Sequence, residues 1–488
     1  MGVGVSDWRL ARAVSMRGHL GVVSGTGIDT VLVRRLQDGD IGGHVRRAMA
    51  KFPFPRAAED VLRLYFREGG RPPGTPYKST PMYRQAVSTA RQQLSMLAAF
   101  VEVTLAKEGH RGIVGMNLLT KIQLPNLTFL YGAMLAGVDY ILMGAGIPRE
   151  IPGALDLMAK HEPATLKLDL ENPVGAPALQ IKFDPQAHWD TPPPPLKRPA
   201  FLAIIASNSF ATMMSRKATG KVDGFVIEGP TAGGHNAPAR GDVQLNERGE
   251  PIYGERDEVD LAKMRELGAP FWIAGGAGSP DGVVKALEEG AAGVQVGTLF
   301  AYSDESGLTA PIKRSILAHA LRNDVDVFTD LRASPTGYPF KVVRWAGDPA
   351  VGAKRNRICD VGGLRVTYMT PQGTVGYRCP AEPVQDYVRK GGKSEDTDGR
   401  KCLCNALMAN IGIGQVREDG WEEPPLVTSG NDLTIISKFL AGRERYSAND
   451  VIDYLLSKLP AEDGPNGPPA SDGAAPRDER VAAAARAD

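Results

Sequence analysis

Short apolar runs, each closed by glycine or a small polar residue, recur along the chain and alternate with stretches of helical period. The runs are Leu20-Gly-Val-Val-Ser24, Gly112-Ile-Val-Gly-Met-Asn117, Asp139-Tyr-Ile-Leu-Met143, Phe201-Leu-Ala-Ile-Ile205, Val222-Asp-Gly-Phe-Val-Ile227, Pro270-Phe-Trp-Ile-Ala274 and Gly293-Val-Gln-Val296. Continuous apolar runs of this length suit strands buried on both faces, and helical stretches between them suit parallel pairing. Helices are predicted near residues 6–17, with Ser6 as N-cap, and near 127–136, 209–218, 260–267 and 281–289. A glycine-rich opening, a helix and then a strand form the second half of a βαβ unit, whose first strand would precede Met1. Seven strands plus that one give eight, which predicts an α/β fold, a (β/α)8 TIM barrel lacking its first strand. A doubly wound open sheet is the alternative, but no Gly-x-Gly-x-x-Gly follows a strand in the required context.

Three excursions leave this alternation. Residues 31–109 read as a helical insertion, with a long amphipathic helix from Met82 to about Lys107 and with Arg34, Arg35, Arg46, Arg47 and Lys51 on a solvated face. Residues 164–170 and 178–183 flank Pro173-Val-Gly175 and predict a β-hairpin outside the main sheet. Residues 311–459 form a C-terminal extension with amphipathic helices at Ile312–Leu321 and Val451–Leu459, the second capped by Ser447. The expected division is therefore a barrel from 1–30 and 110–310, the insertion, the extension, and a disordered tail over 460–488 that is poor in large apolar residues.

Charge and composition narrow the partners. The 57 basic and 56 acidic residues of this 488-residue chain give a net charge of +1, which offers nucleic acid or an anionic membrane nothing to grip. No apolar run reaches eighteen residues and no signal peptide opens the chain, so a cytoplasmic protein without a membrane span is the expectation. A small-molecule substrate is the expected partner, with self-association left open.

If the fold is a barrel, every strand-closing loop lies at its C-terminal end, where barrel active sites are built. The loop Glu228-Gly-Pro-Thr-Ala-Gly-Gly-His235 leaves a histidine at its tip, the side chain best suited to proton transfer near neutrality. Gly233 and Gly234 lack a Cβ, so their amides can approach a ligand closely. Gly275-Gly276 and Gly297-Thr298 end the last two strands with donor-rich turns, the usual place for a phosphate in a barrel.

Taken in order, Met-Gly-Val at the start, Gly-Met-Asn-Leu-Leu119, Ala-Gly-Gly-His235, Ala-Gly-Gly276 and Val-Gln-Val-Gly-Thr-Leu-Phe300 resemble the nitronate monooxygenase family, formerly called 2-nitropropane dioxygenase and related to the flavin-dependent enoyl-ACP reductases. The resemblance covers residues 1–28 and about 110–310. It implies a barrel with non-covalent FMN, whose phosphate lies on Gly275, Gly276, Gly297 and Thr298. Met1, Gly2 and Asn117 are implied as flavin contacts, and His235 as a base or polarising group at the flavin's reactive edge. The implied activity is oxidation of a nitronate or similar carbanion with dioxygen. An NAD(P)H-dependent reductase of the enoyl-ACP type, or a barrel that has lost catalysis and acts as a binding scaffold, are the competing readings.

All four cysteines, Cys359, Cys379, Cys402 and Cys404, fall in the extension. Four thiolates could hold zinc or an iron–sulfur cluster, although the spacing matches neither a Cys-x2-Cys zinc pair nor a ferredoxin run. The other histidines, His19, His44, His110, His161, His188 and His319, have no metal-ligand spacing. Asp304-Glu305 reads as helix-start chemistry. Members of the family carry an apolar strand and Gly-Gly ahead of the first methionine. A chain starting after that strand should bind FMN more weakly, or unfold more readily, than one extended upstream. Equal FMN affinity and equal stability of the two forms would refute this.

Overall fold

Seven parallel strands form one sheet in the computed structural model, which describes residues 2–171, 178–348, 351–353 and 355–460. The strands are β1 (Gly21–Ser24), β2 (Val114–Leu119) and β3 (Tyr140–Gly144), then, after the separate hairpin of β4 (Ala164–Lys167) and β5 (Gln180–Phe183), β6 (Ala200–Ile205), β7 (Gly224–Glu228), β8 (Phe271–Ala274) and β9 (Gly293–Gln295). Their order is β1-β2-β3-β6-β7-β8-β9, so each strand pairs with the next main-sheet strand in the chain. Every run read as a strand from the sequence is one, and the hairpin lies outside the sheet as expected.

The sheet curls. Val22, Leu142, Leu202, Val226 and Trp272, from β1, β3, β6, β7 and β8, pack into one small cluster. Their alternating neighbours Val23, Ile141, Phe201, Phe225 and Phe271 join the large core under the helices. Strands buried on both faces explain the uninterrupted apolar runs. β1 and β9 are not hydrogen-bonded to each other, so the sheet is an incomplete (β/α) barrel. Register sets Ser24 opposite Asn117, and Glu228 and Gln295 on either side of Ala274. The strand ends that carry chemistry therefore stand level on one rim.

Several local expectations change. The first helix runs Trp8–Met16 and is capped by Asp7, whose carboxylate accepts from the amides of Arg9 and Leu10. Ser6 instead donates its hydroxyl to the Val22 carbonyl at 2.6 Å, tying the chain's start to β1. The long helix spans Thr89–Ala106, starts from the Ser88 cap, and is buried on most sides rather than amphipathic. It is wedged among the helices Trp8–Met16, Ile28–Gln37 and Asn126–Leu135. Of the arginines assigned to a solvated face, Arg34 is buried and donates to the Ile413 carbonyl. Arg35 bridges Asp7 and Glu102. A guanidinium brought inside needs such partners, and the local periodicity gives no sign of them.

The extension adds a helix at Ala310–Leu321 and two antiparallel hairpins. These are β10 (Val325–Asp330) with β11 (Phe340–Trp345), and β12 (Val366–Met369) with β13 (Val375–Arg378). A helix over Leu403–Asn410 follows, and a last one over Ala448–Leu456 is capped by Ser447 as expected. Glu305 accepts from the Ala448 amide and Asp304 pairs with Arg445, so this acidic pair fastens the last helix. Pro173-Val-Gly175 and the tail from 461 onward lie outside the described residues. Among those residues no helix is long and apolar enough to cross a membrane.

Gly132 marks where two helices meet backbone to backbone: a Cβ there would stand 2.2 Å from the Met96 carbonyl oxygen. Alanine gains about 1 kcal/mol of helix propensity over glycine. Forcing apart two packed helices costs about 1–3 kcal/mol. Gly132→Ala is therefore expected to lower stability despite the better helix former, and a raised urea midpoint would show that the helices separate freely.

Candidate active site

A cavity of about 620 Å3 opens over the C-terminal rim of the sheet. Asn117 from the end of β2, Gly144 from β3, Glu228 from β7 and Gln295 from β9 form its floor. The extension supplies a wall through Tyr338, Phe340 and the helix at 403–410. A second cavity of about 140 Å3 is lined by Gly275, Gly297 and Thr298. Both are bordered by Gly2, Glu228, Gly233, Gly234, Gln295 and Thr428, so they form one elongated site with a roomy end and a narrow end.

The narrow end has the features of an anion cradle. Gly275 and Gly276 have φ of +86° and +74°, a conformation that favours glycine, and a Cβ on Gly275 would lie 2.7 Å from the Ala232 amide nitrogen. A Cβ on Gly297 would meet nothing within 4 Å, so its backbone faces open space. Gly275, Gly297 and Thr298 border the cavity itself, while Gly276 belongs to the turn behind it. The Thr298 hydroxyl accepts from the Gly430 amide at 3.0 Å, which leaves its hydrogen available to a ligand. The Gly278 amide is already taken: it is directed at the half-buried carboxylate of Asp432, whose pKa burial raises. No local pattern in the extension marks a carboxylate that would stand beside this turn.

His235 lines the roomy end. Its Nε2 lies 2.7 Å from the Ser334 hydroxyl, and its ring stands edge-on to Phe340. Burial, reinforced by the Lys121 cation, lowers its pKa to about 3, so the imidazole is neutral at pH 7. Lys121 borders the same cavity and is half-buried, with its ammonium over the Tyr338 ring and 3.4 Å from the Thr336 carbonyl. Burial lowers its pKa to about 8. On the floor, burial raises Glu228 to about 7.

The structure thus brings His235, Asn117, Gly2, Gly233, Gly234, Gly275, Gly297 and Thr298 to one site; Met1 lies outside the described residues. Asn117 fits a polar planar ligand, because its Oδ1 is buried at the cavity floor without a protein partner. That orphaned acceptor, with the glycine cradle at the other end, suits FMN. Lys121 was missed although it lies only four residues beyond Asn117, in the loop leaving the same strand end. Ser334, Tyr338 and Thr428 come from the extension, where no local pattern points to the barrel mouth.

The four cysteines also meet. They border a separate cavity of about 10 Å3. Burial raises the pKa of all four thiols. As the side chains stand, no three His, Cys, Asp or Glu among the described residues form a ready metal-holding group.

Comparison with known proteins agrees with the motif reading. The family model described as nitronate monooxygenase matches residues 172–336, from the β4–β5 hairpin through β9 to Thr336. Among curated proteins no relative matches. Similar solved structures include FabK from Thermotoga maritima, 16% identical, covering 93% of this chain and 88% of that one with a TM-score of 0.41. The nitroalkane oxidase from Streptomyces ansochromogenes is 14% identical, with 94% of each chain covered and a TM-score of 0.43. The enoyl reductase domain of MlnA from the macrolactin cluster of Bacillus amyloliquefaciens is 11% identical, with 94% of each covered and a TM-score of 0.42. Residues 172–336 thus match the nitronate monooxygenase family, and this match supports a flavin-dependent oxidoreductase.

Proposed function

We propose that the chain oxidises a nitronate, or a comparably stabilised carbanion, using FMN and dioxygen. The observation that carries this reading is the pairing of a neutral His235 with the Lys121 ammonium on one wall of a cavity whose floor holds the orphaned Asn117 Oδ1. FMN, when bound, supplies the capacity to take electrons from the substrate and pass them to dioxygen. The chain supplies position and charge. The turns at 275–276 and 297–298 would hold the phosphate, and Asn117 would meet a polar edge of the ring system.

A nitronate arrives already as an anion, so its oxidation needs orientation more than proton removal. Lys121 attracts the anionic oxygens, and at neutral pH it is mostly protonated. The His235 imidazole holds or donates a hydrogen bond to the same oxygens, with Ser334 fixing the ring through Nε2. For a neutral carbon acid, His235 would also take the proton. A pKa near 3 makes it a weak base in the free chain, and an anion formed beside it raises that value. At about 620 Å3 the cavity lies within the usual range for ligand sites.

Three measurements test this. The chain loaded with FMN should be reduced anaerobically by a nitronate much faster than by NADH or NADPH; the reverse preference would select the enoyl-reductase reading, and a chain that never takes up FMN would select the scaffold. His235→Ala should keep FMN and lose about 10^2–10^4 in turnover, the usual range for a proton-handling or polarising group. Gly275→Val should lose FMN instead, because the new side chain meets the Ala232 backbone.

The depressed pKa of His235 also fixes a sign for stability. Its folded value of about 3 lies below the unfolded value near 6.5, so between these the unfolded chain binds the extra proton. Stability from this group is complete above pH 6.5 and is lost as pH falls toward 3. Urea midpoints of the wild type should therefore rise from pH 5 to pH 7 more steeply than those of His235→Gln, and parallel slopes would show that the histidine is hydrated.

A further inference from the structure

The extension is weakly supplied with apolar core where it most needs one. Between residues 347 and 401, the buried hydrophobic side chains among the described residues are Cys379, Ala381 and Tyr387. The segment relies on polar ties. Arg357 donates to the carbonyls of Pro380 and Thr397, Arg378 pairs with Glu171, Lys390 with Glu382, and Asp360 with Arg417. Partly exposed ion pairs of this kind contribute little each. A stretch of some fifty residues that buries so little usually carries a covalent or metal staple.

The cysteines stand where a staple belongs. Cys359, Cys379, Cys402 and Cys404 come from four points of this segment and its edge, and all border the same cavity of about 10 Å3. Each of the six sulfur pairs is close enough to interact electrostatically. None of the thiols is in a disulfide. A backbone amide is directed at every sulfur: Gly362 at Cys359, Ala381 at Cys379, Asn405 at Cys402, and Gly363 and Leu364 at Cys404. Amide donors are of most use to a sulfur that carries negative charge, and four such sulfurs around one small space need a cation at its centre. Arg365 borders the cavity and faces Cys359, a further positive charge beside the group.

We propose that these four cysteines bind one zinc ion, a structural site that pins the extension against the barrel mouth. The cavity has room for a single ion. Four soft thiolates select zinc with tetrahedral geometry and Zn–S distances of about 2.3 Å. As the side chains stand they do not form a ready metal-holding group, so binding requires the sulfurs to converge on the ion. The site is structural because all four positions are filled by protein, leaving none for substrate. Its effect reaches the active site through short links. Gly362, Leu364, Leu403 and Cys404 border both this cavity and the large one holding His235, so the ion would stiffen a shared wall.

The test uses the full chain purified without chelator or added metal. Elemental analysis should find about one zinc per chain and no acid-labile sulfide. Cys359→Ser and Cys404→Ser should each fall below about a tenth of that, with bound flavin measured alongside to check folding. Should those variants fail to fold, the wild type alone decides. After chelation its four thiols should become reactive toward a disulfide reagent under native conditions, and one equivalent of zinc chloride should restore their protection. Zinc retained by both serine variants, iron accompanied by sulfide, or thiols whose reactivity is unchanged by zinc chloride would each overturn the proposal.

Discussion

The site depends on how the loop after β7 is held. The Gly234 carbonyl accepts from the Lys341 amide at 2.9 Å, and the Asn236 amide donates to the Pro339 carbonyl at 2.9 Å, so His235 sits between two rungs of a short antiparallel bridge to β11. From the other side, the Gly234 amide donates to the Thr428 hydroxyl at 2.8 Å, and the Asn431 amide donates to the Thr231 carbonyl. Gly233 packs so tightly on the chain at Ser429–Gly430 that a Cβ would stand 2.7 Å from the Gly430 nitrogen. A loop at a barrel rim is ordinarily among the more mobile parts of a fold. Here two distant segments of the extension fix its backbone, and the imidazole is aimed by backbone hydrogen bonds rather than by its own loop.

That arrangement explains why the barrel was readable and its mouth was not. Strand runs such as Phe201–Ile205 are apolar throughout because parallel strands are covered on both faces, a pattern that survives in any single window of sequence. The turn at Gly275 and Gly276 was readable for the same reason: positive φ demands glycine, and the demand leaves a local mark. Lys121 left no such mark. Its depressed pKa comes from burial beneath the extension, and from no neighbour in the sequence. Ser334 and Thr428 are ordinary residues made important by what they face. The helix at Thr89–Ala106 was misjudged in the same way, since its burial on most sides is imposed by helices far away in the chain.

Electrostatics make the mouth sensitive to what enters it. Lys121 and His235 share one wall, and each cation makes the other harder to form. In the ligand-free chain the imidazole stays neutral, while burial alone lowers the lysine's affinity for its proton. An anion between them reverses both penalties at once, because it stabilises the ammonium and any imidazolium together. Under the proposed function, selectivity for anionic or anion-forming substrates then follows from burial and charge. Glu228 on the floor acts in the opposite sense, and its pKa, raised by burial, keeps much of its population uncharged near neutrality, limiting its repulsion of such a ligand.

These charges keep their altered pKa values only while the extension stays closed over them. Water admitted to the mouth would rehydrate Lys121 and His235 and return both toward their ordinary ranges. Apolar packing behind the wall is modest, with Ala333, Phe340, Val342, Leu403, Ala406 and Leu426 as its principal cluster. Phe340 is at once a member of that cluster, the first residue of β11 and the edge-on partner of His235, so the packing of the extension and the environment of the imidazole are one structure. A stabilising element far from the ligand, such as an ion held by the cysteines, would then act on chemistry without touching substrate, by keeping the wall that excludes water in place.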